Sequence, residues 1–395
     1  MLVRVLSELL GPAEYGRLAL AMTVGTLISQ VVMSFNAGIG RYFSVASEER
    51  NLSGFRSGIN RLFGGAGIVV AALTIVGIIG LKLFGQCSWL WILVFTAMFS
   101  YLSGCGSCLN SIQTAARQRA AVALHSGFES WLKIGLVFLV TYLFGGYCEP
   151  VIVGYALAAL VVGLSQFYWV NKLMFGEALD RSSFWEKRIL SFSWPFSIWG
   201  AFYWMQSSSD RWALERFSTT AEVGKYAVLY QLGYTPISMA LGLAMTFLVP
   251  ILYQRYDVSG ATEDRRSVHN LSWGTTYFAI GCTLLGFLIT TFCHQLIFHL
   301  FAAESFRGIS FLLPWMILAG GLFSAGQILS LKLMAEMRTG QLLVVKVFTA
   351  LLGVGANVIG AWLFGIPGVV AGMIVFSLGF LIWTILLAAK PRDTL

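Results

Sequence analysis

Asp210 and Arg211 stand side by side about four turns into the otherwise apolar stretch 195–217, and Glu215 follows Arg211 by one helical turn. A charge placed deep in hydrocarbon costs about 2.5–3.5 kcal/mol on insertion scales, so such groups usually face the interior of a helix bundle. Arg211 and Glu215, four apart, are spaced to pair on one helix face, and Asp210 can reach a neighbouring helix. Glu129 and Lys133 repeat the four-residue spacing in another apolar stretch. Arg41 closes a third stretch beside Asn36, Gly38 and Gly40, whose small residues let a head group or another backbone approach. Guanidinium and ammonium groups in such places suit an anionic, phosphate-bearing ligand, and Arg adds bidentate geometry. Arg41, Lys133 and Arg211 are therefore the candidate substrate-binding residues, expected to face one shared central space. Asp210, Glu129 and Glu215 are candidates for ion coupling or for a structural ion pair. Ion pairs that snorkel to the membrane surface are the plainer alternative for each.

Other chemistries find little support. Cys105-Gly-Ser-Cys108 lies in an apolar stretch without nearby histidines, and His294 and His299 lack a partner motif such as HExxH. No glycine-rich phosphate loop follows a strand. No metal site, cofactor or intrinsic catalysis is expected. Intramembrane amides (Gln30, Asn36, Gln113, Gln206, Gln231, Gln327, Asn357) suit sugar hydroxyls, and equally suit hydrogen bonds between helices.

The elements that must position these residues are membrane helices. Of 395 residues, 57% are hydrophobic and 11% charged, against roughly 25% charged in soluble domains. A spanning helix takes about 20 apolar residues. Candidates fall at 17–37, 62–81, 89–109, 128–145, 150–171, 195–217, 226–252, 270–291, 311–333, 342–364 and 366–389. Runs such as Ile68–Leu81 are apolar on every face, which excludes a β-barrel. The net charge of +8 is spread over short loops rather than gathered in a patch, so nucleic acid is not an expected partner. Alternate loops hold most of the basic residues: Arg41, Arg50, Arg56 and Arg61, then Arg117 and Arg119, then Lys172 to Arg188, then Arg255 to Arg266, then Lys332 and Arg338, then Lys390 and Arg392. Those loops are expected to be cytoplasmic, which puts the C-terminus inside and Met1 outside.

An internal repeat is legible. Ala13-Glu14-Tyr15-Gly16-Arg17-Leu18-Ala19-Leu20 recurs as Ala221-Glu222-Val223-Gly224-Lys225-Tyr226-Ala227-Val228, each copy opening a long helix in the same sense. Transporter folds commonly pair two such bundles. The expected organisation is an all-α, polytopic transmembrane bundle of two parallel-repeat lobes: residues 1–172, a cytoplasmic linker 173–194, and residues 195–395. The second copy has a helix before its motif, 195–217, and the first copy has none. The symmetry thus leads us to expect twelve helices, with the first one absent from this chain.

Leu9-Leu10-Gly11-Pro12-Ala13-Glu14-Tyr15-Gly16, then Gly38-Ile39-Gly40-Arg41-Tyr42-Phe43-Ser44-Val45, then Ser209-Asp210-Arg211 and Ala221-Glu222-Val223-Gly224-Lys225-Tyr226, resemble in order and spacing the O-antigen and polysaccharide flippases of the multidrug/oligosaccharidyl-lipid/polysaccharide exporter superfamily. The resemblance implies a multi-pass carrier in the inner membrane. Working by alternating access, it would move a polyprenyl-diphosphate-linked oligosaccharide across the bilayer through a cation-lined central cavity, with a polysaccharide polymerase and chain-length machinery as partners. An ion-coupled multidrug exporter shares the fold, and it would carry an acidic rather than a basic cavity. An integral-membrane polysaccharide polymerase is the third alternative.

Overall fold

The computed structural model describes residues 2–174, 184–257, 262–336 and 338–389. Residues 195–199, 201, 203, 246, 249–257, 262–268 and 339 are described by their backbone alone. The described residues form thirteen α-helices, two short 3-10 helices (Cys87–Trp89 and Glu304–Leu312) and no strand: α1 (Leu2–Leu9), α2 (Pro12–Met33), α3 (Asn36–Glu48), α4 (Leu52–Leu83), α5 (Leu90–Ala115), α6 (Arg119–Phe144), α7 (Cys148–Leu173), α8 (Phe184–Phe217), α9 (Thr220–Asp257), α10 (Thr262–Phe301), α11 (Leu313–Ala335), α12 (Thr339–Phe364) and α13 (Ile366–Ala389). Lipid offers no partner to a bare backbone group, so each apolar run must close its own hydrogen bonds, and the helix does that within one segment. Ten of the expected spans fall on one helix each to within two residues, and the one expected at 17–37 runs from α2 across a turn at Ser34 and Phe35 into α3. The helices run further than the spans because their polar ends also coil.

Local signals stop and start them. Gly145 (φ +96°) and Gly365 (φ +61°) follow α6 and α12 in the left-handed region that glycine tolerates, each donating its N–H to the last turn. Asn51 opens α4 as an N-cap, its side chain accepting from the Gly54 N–H at 3.1 Å. Nine helical stretches among the described residues are long and apolar enough to cross a membrane. The two long helices outside that set, α8 and α9, are the ones that carry Asp210, Arg211, Tyr226, Tyr230 and Gln231.

By its contacts the chain divides into two units: Met1–Gly16 with Met205–Leu395, and Arg17–Trp204. Both boundaries fall inside helices, α2 and α8, rather than in a loop. Of the linker expected at 173–194, residues 175–183 lie outside the described residues, and 184–194 form the first turns of α8. Lys390 and Arg392, like Arg181, also lie outside them.

Within the unit Arg17–Trp204, the amphipathic start of α8 buries Trp185 and Ile189 against Ile39 and Phe43 of α3 and Phe55 and Ile59 of α4. Small residues let the helices close up. A methyl added at Gly104 would stand 2.8 Å from the Val32 side chain, and one at Gly25 would stand 2.7 Å from Ser100 Oγ. Where lipid tails are as apolar as leucine, such van der Waals fit is what favours one helix over lipid as a neighbour. In the other unit α11 is the central helix, buried along most of its length against α9, α10 and α13.

Candidate functional site

The most connected group of polar side chains lies in the unit containing Met205–Leu395. Asp210, on α8, is 1% exposed. Its Oδ2 accepts a hydrogen bond from Tyr226 Oη at 2.7 Å, across to α9. Its Oδ1 lies 3.4 Å from Arg211 Nη1. That same Nη1 donates to the Ser207 carbonyl at 2.9 Å, one turn back along α8. The Arg211 guanidinium sits 4.7 Å from the centre of the Tyr230 ring, one turn along α9 from Tyr226. A desolvated cation gains from an aromatic face and a carboxylate together, which is how a buried charge becomes tolerable. Around this core, Tyr15 Oη donates to Gln231 Oε1 at 3.0 Å, and Asn357 Nδ2 of α12 donates to Ser209 Oγ at 3.1 Å.

The structure corrects the expected pairing of Arg211 with Glu215. Arg211 folds back toward Asp210 and Ser207, and Glu215 Oε1 instead accepts from Thr220 Oγ1 at 2.9 Å. The reason is competition: Asp210 is already fixed by Tyr226 and so offers Arg211 a preorganised anion, while Glu215 is engaged by Thr220. The pair is also not one that snorkels to a surface, since Asp210 is enclosed by protein.

In the unit Arg17–Trp204, Lys133 Nζ lies 2.6 Å from Glu129 Oε1, as the four-residue spacing predicts. Their side chains are 24% and 25% exposed, and Lys133 also stands 5.6 Å from the centre of the Phe99 ring. Arg41 is exposed, with its guanidinium 4.7 Å from the centre of the Phe192 ring. Gly40 beside it has open space where a side chain would go, while a methyl at Gly38 would meet Ser193 Oγ at 2.5 Å. Thus Arg41 and Lys133 belong to one unit and Arg211 to the other.

Two features escaped the sequence. Tyr226 entered only as part of the repeated motif and Tyr230 not at all, although their spacing of one turn, repeated at Tyr234, is a signal that one face of α9 carries hydroxyls. Lys332, counted among loop cations, is in fact 4% exposed. It donates to the Ala388 carbonyl at the end of α13 (2.7 Å), lies 3.0 Å from His269 Nδ1, and stands 3.5 Å from Glu336. A lysine at a helix C-terminus satisfies carbonyls that the helix leaves open.

The family model described as "Polysaccharide biosynthesis protein" matches residues 2–255. Among solved structures, the chain is similar to an inward-facing multidrug resistance MATE family transporter of the MOP superfamily, at 14% identity over 99% of this chain and 94% of that one, with a TM-score of 0.72. It is also similar to the lipid II flippase MurJ in an inward closed conformation, at 12% identity over 96% and 83%, with a TM-score of 0.67. A third likeness is the eukaryotic MATE transporter AtDTX14, at 14% identity over 95% and 88%, with a TM-score of 0.60. No curated protein matches the chain. A family match over more than half the chain shows the family, and the likenesses show the fold: the protein belongs to the polysaccharide biosynthesis protein family and shares the all-α, polytopic fold of these MATE and MurJ structures.

Proposed function

We propose that this protein carries a polyprenyl-diphosphate-linked oligosaccharide from the inner to the outer leaflet of the cytoplasmic membrane by alternating access, in the assembly of a cell-surface polysaccharide. The observation that carries this reading is the family match over residues 2–255. The physical task is to desolvate a charged, hydroxyl-rich head group while its lipid tail stays in the bilayer. Arg41 and Lys133 supply cationic groups for the diphosphate; Arg211 supplies a third only if it leaves Asp210. A polysaccharide polymerase and chain-length machinery are the partners such a product calls for. The distribution of Lys and Arg supports a cytoplasmic C-terminus.

An ion-coupled multidrug exporter is the second reading, and the fold likenesses favour it, because most of the similar solved structures are described as MATE transporters. The ion pairs favour it as well. With Arg211 and Lys133 each beside a carboxylate, the only candidate cation without one among the described residues is Arg41, which is exposed. At 12–16% identity those likenesses carry the fold and not the substrate, so the family description decides the order of the two readings.

Reconstituted proteoliposomes separate them. The first reading expects the purified chain to expose a fluorescent polyprenyl-diphosphate oligosaccharide to a quencher outside the vesicle, with no gradient-driven movement of ethidium. Ethidium transport without lipid flipping would replace the first reading with the second.

A further inference from the structure

Arg41, the candidate cation that the structure leaves exposed, shares its surroundings with Arg188 of α8. The first turns of α8 bury Trp185, Ile189 and Ser193, spaced four apart, on one face. Phe184, Arg188 and Phe192 follow the same step and so form a second stripe beside it. Along that stripe guanidinium and ring alternate. The Arg188 guanidinium carbon stands 4.9 Å from the centre of the Phe184 ring, 5.5 Å from that of Tyr42 on α3 and 5.7 Å from that of Trp185. Tyr42 meets the Phe192 ring edge-on, with centres 5.9 Å apart, and Phe192 carries Arg41 at 4.7 Å. The two arginines are thus joined through two rings, all within the unit Arg17–Trp204.

An aromatic face steadies a guanidinium without using its N–H donors, which leaves their fork open to an anion. Arg188 does have a carboxylate near it, Glu49 Oε1, but at 3.8 Å, with the two side chains 42% and 47% exposed. A pair so long and so wet contributes little and exchanges readily. The carboxylates of Arg211 and Lys133 are closer, at 3.4 and 2.6 Å, and those pairs are less exposed. Gly40 leaves open space beside Arg41, and Phe184, Leu190 and Trp194 expose apolar surface on the same turns of α8. Two guanidiniums beside exposed apolar side chains suit the phosphate of a lipid, whose head group pairs with the arginines while its chain keeps to the apolar side. Both arginines also belong to the loops whose Lys and Arg content points to the cytoplasmic side.

We propose that Arg188 is a further substrate-binding residue, which with Arg41 takes the diphosphate of the lipid-linked substrate at the cytoplasmic end of this unit. The proposal rests on the lipid-diphosphate reading of the protein. Two forked guanidiniums match two linked phosphates better than the single phosphodiester of a common phospholipid.

The test measures binding of a fluorescent polyprenyl diphosphate to the full chain in phosphatidylcholine nanodiscs. The wild type is expected to bind it about tenfold or more tightly than the polyprenyl monophosphate, and to keep that binding when phosphatidylglycerol is mixed into the disc. Arg188→Gln should weaken diphosphate binding about tenfold and bring the two ligands level, with Arg188→Lys in between because it keeps the charge and loses the fork. Glu49→Gln, which frees Arg188, should tighten binding about two- to threefold and lose that effect in the Arg188→Gln background. An arginine that only braces α8 on α3 would produce neither the levelling nor the tightening. Diphosphate binding that Arg188→Gln and Glu49→Gln both leave unchanged would overturn the role of Arg188 and spare the lipid-diphosphate reading. Should Arg188→Gln fail to fold, unchanged binding in Glu49→Gln overturns it alone. Displacement by an equal amount of phosphatidylglycerol would make this a general site for anionic lipid, and would overturn the proposal as well. No binding of either polyprenyl lipid by the wild type would overturn the lipid-diphosphate reading, and the proposal with it.

Discussion

Two of the ion pairs, one in each unit, set a carboxylate beside a cation on a long helix, and they are built differently. Asp210 and Arg211 are tied across two helices: a tyrosine hydroxyl holds the anion, an aromatic face and a backbone carbonyl hold the cation, and the carboxylate is 1% exposed. Glu129 and Lys133 lie on one helix, have each other and the Phe99 ring, and are about a quarter exposed. A group held by several partners is costly to displace, and a group with one partner is free to exchange it. The difference ties the first pair to holding α8 on α9, and we propose that the second is the one that gives up its partner during transport.

The largest effect follows from breaking the first pair on one side. Asp210→Ala leaves Arg211 buried beside a vacated anion site, and is expected to lower stability by about 3–5 kcal/mol, read as loss of folded protein in a thermal melt in detergent. A loss comparable to that of Glu129→Ala would erase the contrast between the sites. Tyr226→Phe removes one hydrogen bond to a buried carboxylate, worth about 1.5–3 kcal/mol, and the same melt should place it between the wild type and Asp210→Ala. The smallest change is expected for Glu129→Gln, within about 1 kcal/mol, because partly exposed pairs on one helix contribute little. A larger loss would mean that the second pair is as structural as the first.

The contrast also marks what the sequence can convey. Apolar runs of bilayer length are nearly sufficient to place a membrane helix, so ten of the eleven expected spans landed on single helices, while the run 17–37 hid the turn that separates α2 from α3. The spacing of Glu129 and Lys133 was enough to pair them, since one helix fixes both positions. Arg211 shows the limit: two carboxylates lay within reach, and the winner was chosen by Tyr226 on a different helix. Lys332 shows the same limit from the other side, because the carbonyl of Ala388 that receives it is 56 residues away along the chain. The repeat was readable as a duplication, but nothing in its spacing said that Gly16 and Gly224 would meet; that depends on how two helix ends cross.

The division of labour between the two pairs is tested most directly by measuring flipping of a fluorescent polyprenyl-diphosphate oligosaccharide in proteoliposomes, normalised to folded protein, for Glu129→Gln and Asp210→Asn side by side. Glu129→Gln is expected to fold as well as the wild type and to transport at about a tenth of its rate or less, while Asp210→Asn is expected to lose chiefly folded protein, the molecules that do fold keeping most of their rate. Wild-type transport by Glu129→Gln, together with a well-folded but inactive Asp210→Asn, would contradict that division of labour.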